Sequence, residues 1–260
     1  MQSILSSKAN RLFLILGGFF ITNALVAEMI GSKLFSVERL LDVDLMNWTV
    51  FGESGINLTM TAGVLIWPVV FLMTDIINEY YGKKGVRFLS YLTVGLIIFA
   101  FLAIFLAINV SPDLWWQNES GLLGSGPKVE DMQSAFQKVF GQGLWIIFGS
   151  VIAFLVGQIL DVSVFHAIKK RTGEKMLWLR ATGSTLVSQL IDSFIVLIIA
   201  FYIGADWGLV KVLAIGSVNF IYKGLVAIIL TPLLYLGHNI IDKYLGKELS
   251  DKLKQEAIKI

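Results

Sequence analysis

Apolar residues in this chain fall into long runs separated by short charged blocks, not into the strict alternation of half-buried strands. The hydrocarbon core of a bilayer asks for about 20 apolar residues per helix, with a range of about 17 to 25. Six segments meet that length, at 12–31, 58–79, 87–110, 143–168, 179–203 and 210–236. The pattern predicts an all-α polytopic membrane protein, a six-transmembrane-helix bundle forming a single domain over residues 1–260. Pro68 is expected to kink the second span. The first run contains Glu28 and is longer than a signal-peptide core, which predicts an uncleaved span.

Composition agrees with a lipid environment, since 56% of the residues are hydrophobic and only 15% are charged, against about 25% charged in an average globular domain. The charges also orient the bundle. Lys8 and Arg11 precede the first span, Lys83, Lys84 and Arg87 follow the second, and Lys169, Lys170, Arg171, Lys175 and Arg180 follow the fourth. Lys243, Lys247, Lys252, Lys254 and Lys259 follow the sixth, so fifteen of the 21 basic residues lie on one side. Lys33, Arg39, Lys128, Lys138 and Lys211 fall in the opposite loops, and Lys223 lies within the last span. Basic loops stay inside, so both termini are expected in the cytoplasm, with the chain multi-pass in the lipid bilayer of a bacterial inner membrane. A net charge of +2 leaves no electrostatic footprint for nucleic acid. Without cysteine, the chain has no disulfide, thiolate metal site or cysteine nucleophile. In the outer loop 111–142, Trp115 and Trp116 suit the membrane interface, and Val129, Met132, Phe136 and Phe140 predict a short helix on the membrane surface.

Several polar residues sit where lipid is expected. Glu28, Asp75, Asp161, Asp192 and Lys223 lie within spans, Glu79 and His166 nearer their cytoplasmic ends, and Asn23, Asn78, Gln158, Gln189 and Asn219 add amides. An ionisable group inside a span costs at least about 2.5 kcal/mol on insertion scales, and such groups usually face a cavity or a partner. Gln158 and Asp161 are three residues apart, as are Gln189 and Asp192, so each pair shares a helix face. The near-copies GQILD and SQLID are set on antiparallel spans and are expected to meet near mid-membrane. Asn219 with Lys223 and Asp75 with Glu79 repeat the pattern at a spacing of four. Such groups serve equally as interhelical hydrogen-bonding glue, and Lys223 as a counter-ion for Asp161 or Asp192. The acids nevertheless outnumber the one lysine within the spans, so either some are protonated or a donor-rich ligand completes them.

Enzyme chemistry finds no support. There is no Walker A motif and no HExxH, and two histidines make no metal site. Gly124-Ser125-Gly126 lies in a polar loop without a partner base. The expectation is a transporter, not an enzyme, with no cofactor and no metal.

WPVVFLMTDIINEYYGKKGVRF (67–88), TNALVAEMIGSK (22–33), GQILDVSVFHAIKKRTG (157–173) and LWLRATGSTLVSQLIDSFIV (177–196) resemble the queuosine precursor transporter family, six-helix proteins grouped with vitamin-uptake transporters. The TDIINEYYG and STLVSQLIDS blocks are the most distinctive. The resemblance implies import of 7-cyano-7-deazaguanine or 7-aminomethyl-7-deazaguanine, bases used to build queuosine in tRNA. It also implies an architecture similar to the substrate-binding subunits of energy-coupling-factor transporters, some of which work with a separate ATPase module. Three alternatives stay open: a subunit of that kind with its energy-coupling-factor module, a transporter of another small aromatic solute or vitamin, and a non-transporting scaffold. A homo-oligomer is also left open. For a guanine-like ligand, Asp161 or Asp192 would accept from N1–H and the exocyclic amine. Gln158, Gln189 or Lys223 would donate to O6, and Trp67 or Phe165 would stack on the ring. Asp75 or Glu28 would favour an aminomethyl cation, and Asn23 and Asn219 complete the polar lining. Asp75, Asn78 and Glu79 are also read as a cytoplasmic wall or gate, anchored by Lys83, Lys84 and Arg87.

Overall fold

The computed structural model describes residues 7–118, 129, 131–141, 143–173 and 176–259. Lys128, Lys175 and Gly124-Ser125-Gly126 lie outside the described residues. The chain runs α1 (Lys8–Ile30), β1 (Leu34–Ser36), α2 (Val37–Leu40), β2 (Trp48–Val50), β3 (Glu53–Ile56), β4 (Thr59–Thr61) and a 3-10 turn (Ala62–Leu65). It continues with α3 (Trp67–Asn109), α4 (Leu114–Asn118), α5 (Met132–Phe140), α6 (Leu144–Thr172), and α7 (Leu177–Leu197), which passes into a π-helical turn (Ile198–Ile203). α8 (Leu209–Leu245) and α9 (Lys247–Lys259) close the order.

The protein is an all-α polytopic membrane protein. Among the described residues, five helical stretches are long and apolar enough to cross a membrane: Lys8–Ile30, Trp67–Asn109, Met132–Thr172, Leu177–Ile203 and Leu209–Leu245. Ile15, Phe99, Leu106 and Ile229 each expose roughly two thirds of their surface to the outside of the bundle. A continuous apolar exterior of that kind is an aggregation hazard in water and the ordinary state in lipid.

α3 is the unusual element. Its 43 residues would stretch about 65 Å if straight, twice the hydrocarbon thickness. The hydroxyls of Thr74 and Ser90 instead donate to the same oxygen, Gln158 Oε1, at 3.2 and 3.5 Å. Sixteen residues of straight helix would hold them about 24 Å apart. The helix therefore folds back on itself, and the break is at Gly82, with φ 66° and ψ −170°. That conformation is essentially glycine's alone. A side chain there would also meet the backbone of Ala257 at 2.8 Å. The notch receives α9, which packs along α3.

The two arms of α3 occupy the places expected for the second and third spans, with one difference at the start. Residues 58–66 are not helical. Thr59–Thr61 pair with Leu34–Ser36 in register Ser36↔Thr59, and a 3-10 turn follows. Met60 is buried inside the fold, so its apolarity does not report contact with lipid. Pro68 also does not kink a span. It stands in the first turn of α3, where its missing N–H costs nothing. A second hairpin, β2–β3, turns at Phe51 and Gly52, both with positive φ. The outer-loop helix is present as α5, with Asp131 accepting from Ser134 N at 3.1 Å as its cap. Val129 precedes that helix.

Candidate functional site

At the C-terminal end of the first arm of α3, Glu79 is buried and fully engaged. Arg180 of α7 grips it with two nitrogens, Nη2 to Oε1 at 2.7 Å and Nε to Oε2 at 3.2 Å, and Nη1 donates to the Gly173 carbonyl at 3.0 Å. Lys169 of α6 adds Nζ to Oε2 at 3.1 Å and to the Glu79 carbonyl at 3.2 Å. All three side chains have at most 2% of their surface exposed. The clamp joins α3, α6 and α7 around one carboxylate, with the bidentate geometry that lets a buried pair offset its desolvation. Beside it, His166 Nε2 meets Asn78 Oδ1 at 2.8 Å. A second network ties the end of α8 to α9: the Tyr80 hydroxyl donates to Asp242 at 2.7 Å, and Lys254 and Ser250 donate to the same carboxylate.

One turn along α3, a cavity opens between its first arm, α7 and α8. It holds about 570 Å³ of space, open mouth included. Trp67, Phe71 and Tyr222 supply aromatic walls, and Thr182, Thr185 and Thr231 supply hydroxyls. Thr182 and Thr231 are bonded to each other at 3.0 Å. Asp75 and Gln189 also line it, with only 5% and 3% of their surface exposed. Asp75 Oδ1 and Gln189 Nε2 have no partner. A buried acceptor and a buried donor without partners cost stability unless something completes them, and both residues line the same hollow. Lys223 stands at the rim, bonded to Asp192 at 2.6 Å.

The remaining sequence candidates divide. Gln158 and Asp161 lie behind the cavity wall: Gln158 takes the Thr74 and Ser90 hydroxyls, and Asp161 faces Ser188 and Thr185 of α7 at 3.3 and 3.5 Å. The two amide–carboxylate pairs do not converge as copies, because Asp192 turns to Lys223 of α8 while Asp161 faces hydroxyls. Glu28 accepts from the Ser150 hydroxyl at 2.8 Å. Asn23 donates to Phe19 O of its own helix at 2.7 Å. Neither of them lines the cavity, nor do Asn219, Glu79 and Phe165, whose ring lies under the Arg180 guanidinium. Sequence reasoning missed Thr182, Thr185 and Tyr222 as lining, and it counted Arg180 and Lys169 as loop charges. A signal for Thr185 existed, since it shares a helix face with Gln189 at a spacing of four.

A family model described as "Putative vitamin uptake transporter" matches residues 61–237. A Bacillus subtilis protein named probable queuosine precursor transporter is 33% identical over 146 residues, 56% of this chain and 58% of the relative's length. A Haemophilus influenzae protein of the same name is 26% identical over 78% of both chains. The Escherichia coli queuosine precursor transporter is 26% identical over 76% of this chain and 80% of its own. No solved structure matches this chain.

Proposed function

Because this chain belongs to the vitamin uptake transporter family, whose model covers more than half of it, we propose that it imports queuosine precursors, the 7-deazaguanine bases 7-cyano-7-deazaguanine or 7-aminomethyl-7-deazaguanine. The names of its relatives support that solute class. The observation that carries the reading is the pair of open polar atoms in the aromatic-walled cavity. Asp75 Oδ1 is an acceptor for the N1–H and amine edge of a guanine-like ring, and Gln189 Nε2 is a donor for its O6. Trp67, Phe71 and Tyr222 give the flat apolar surround that such a ring prefers. Asp75 thereby takes the part expected of Asp161 or Asp192 for the guanine-like ligand that the resemblance implies.

The membrane arrangement belongs to the same proposal. The two arms of α3 are two passes, which makes six with α1, α6, α7 and α8, and both termini lie in the cytoplasm of a bacterium. Removing the buried Lys169 and Arg180 from the loop count still leaves thirteen basic residues inside against five outside.

Uptake of labelled 7-cyano-7-deazaguanine by the purified chain in liposomes tests the proposal. Saturable uptake, competed by 7-aminomethyl-7-deazaguanine and not by riboflavin or thiamine, is expected. Competition by either vitamin would overturn the solute assignment. Binding in detergent without uptake by the lone chain would mean that transport needs an ATP-driven partner.

A further inference from the structure

The proposed contacts account for the ring and leave two things over: the substituent at position 7 of the base, and the one basic residue of the cavity wall. Among the described residues that line the cavity, Asp75 is the one acid and Lys223 the one base. Lys223, on α8, donates from Nζ to Asp192 Oδ2 at 2.6 Å, and Asp192 stands outside the lining. The pair is therefore a dipole with its positive end toward the hollow. An ammonium has three N–H donors, and Asp192 takes one of them. The lysine side chain also keeps 18% of its surface exposed, so it is reachable from the cavity.

Helix geometry sets the order of the polar groups. Arg180 is bonded to Glu79, which fixes a common level for α3 and α7. From there Asp75 lies four residues back along α3, about 6 Å. Gln189 and Asp192 lie nine and twelve residues on along α7, about 13 and 18 Å. Both paths run into the cavity, since Asp75 with Phe71 and Trp67, and Thr185 with Gln189, all line it. Leading away from the clamp, the walls thus present an open acceptor at Asp75, an open donor at Gln189, and the Lys223 ammonium held at Asp192.

A 7-substituted deazaguanine carries its groups in the same order. N1–H and the exocyclic amine form one edge, O6 stands at the next corner, and the position-7 substituent lies beside O6. With the donor edge on Asp75 and O6 on Gln189, the substituent points toward Lys223. Turning the ring end for end brings an aminomethyl cation to Asp75, but it sets the donor edge against Gln189 and Lys223, which are donors too. Resting on the solute reading above, we infer that Lys223 is the specificity-determining residue for position 7. Its ammonium donates to the nitrogen of a neutral nitrile and repels an aminomethyl cation, so 7-cyano-7-deazaguanine is the preferred solute. A like charge built against the competitor is a direct way to reject a ligand that differs in one group. Glu28, the other acid that sequence reasoning offered to such a cation, accepts from Ser150 and lies outside the lining.

Binding titrations of the full chain in detergent, with three bases, test the assignment. The third base, 7-hydroxymethyl-7-deazaguanine, matches the aminomethyl compound in size and carries no charge. The wild-type protein is expected to bind the cyano and hydroxymethyl bases at least about tenfold tighter than the aminomethyl base, the factor that a hydrogen bond to a charged group supplies. The aminomethyl base then competes for uptake only at correspondingly higher concentration. In Lys223→Met the cyano base should weaken about tenfold while the aminomethyl base does not, and Lys223→Arg, which keeps the charge, should keep the discrimination. The wild-type comparison of the hydroxymethyl and aminomethyl bases reads the charge without any substitution, so it stands even if Lys223→Met does not fold. Equal wild-type affinity for those two bases, or a Lys223→Met protein that weakens toward all three alike, would leave Lys223 as a counter-ion for Asp192 and overturn the inference. A wild-type protein that binds none of the three would instead sink the solute reading.

Discussion

Asp75 and Glu79 stand one turn apart on the same helix face, both acidic and both buried, and they meet opposite fates. Glu79 is held by a lysine and a bidentate arginine, and every oxygen of its carboxylate is occupied. Asp75 looks into the cavity with one oxygen open. The difference is supplied by the neighbouring helices: α6 and α7 bring cations to Glu79, whereas α7 brings a hydroxyl and an amide, Thr185 and Gln189, to the cavity wall that Asp75 shares. A buried acid that the fold completes is architecture. One that the fold leaves incomplete is a place for a ligand. The two residues thus separate stability from recognition within a single helical turn.

The most forceful way to break that separation is to remove the clamp. Arg180→Ala leaves Glu79 with Lys169 alone, and deleting one partner of a buried pair typically costs about 3 to 5 kcal/mol. A large drop in unfolding midpoint in detergent is expected, with reduced binding only as a consequence. Unchanged stability would mean that Glu79 is not the structural member of the two.

Asp75→Asn should do the reverse. A hydrogen bond to a charged group contributes about 1.5 to 3 kcal/mol, so affinity for the deazaguanine should fall roughly ten- to hundredfold. The ligand-free protein should lose little stability, because Asp75 Oδ1 has no partner in the fold to lose. Gln189→Leu, at the donor end, should weaken binding by about 1 kcal/mol, the value of a neutral hydrogen bond. Titration of binding alongside thermal melting separates the two effects.

Much of this was readable beforehand, and the gaps have a common cause. Lipid-length runs located α1, α6, α7 and α8 to within a few residues, except that α8 continues to Leu245, past the apolar segment, where Tyr80 and α9 hold its end. Spacing alone picked out Asp75, Gln189 and Lys223, because a polar residue in a span must face something. What it faces was not readable. Arg180 and Lys169 look like interfacial anchors in sequence and become clamp residues only because α3 delivers Glu79 between them. The open state of Asp75 likewise depends on α7 presenting Thr185 and Gln189 where it could have presented a base. Residues 59–61 were misread because Met60, the one buried residue of the strand, is as apolar as a residue at a helix end in lipid.

Lys223 and Asp192 sharpen the contrast at smaller scale. Their bond is short, 2.6 Å, yet each side chain keeps 18% of its surface exposed, so solvent screens it. A double-mutant cycle with Lys223→Met and Asp192→Asn should give a coupling near 1 kcal/mol, below the clamp and close to surface pairs. A coupling as large as that at Arg180 would move this pair into the architectural class.

A third acid completes the series without any cation. Glu38, in α2 outside the spans, is buried. It accepts from the Leu58 amide at 2.7 Å and the Ser36 hydroxyl at 2.8 Å, so neutral donors alone satisfy it. Burial pushes its carboxyl up, but those bonds, with its own amide and that of Met46, outweigh burial and hold it below the ordinary carboxylate value of 4.5. A depressed value in the folded state means that the contribution to stability is fully present above about 4.5, the unfolded value, and is lost as pH falls through the folded one. Hydrogen exchange of the amides in 34–61 should therefore be flat from pH 7 down to about 5, after correction for the intrinsic rate, and accelerate below that. Glu38→Gln should abolish the acid-induced step while loosening the segment at neutral pH. Because these donors are fixed by the β1–β4 pairing and not by a charge on another helix, the effect should stay local, leaving the melting of the bundle unmoved. If acidification also loosens the α3 arms in the Glu38→Gln protein, the pH sensitivity of the bundle lies with its own buried acids.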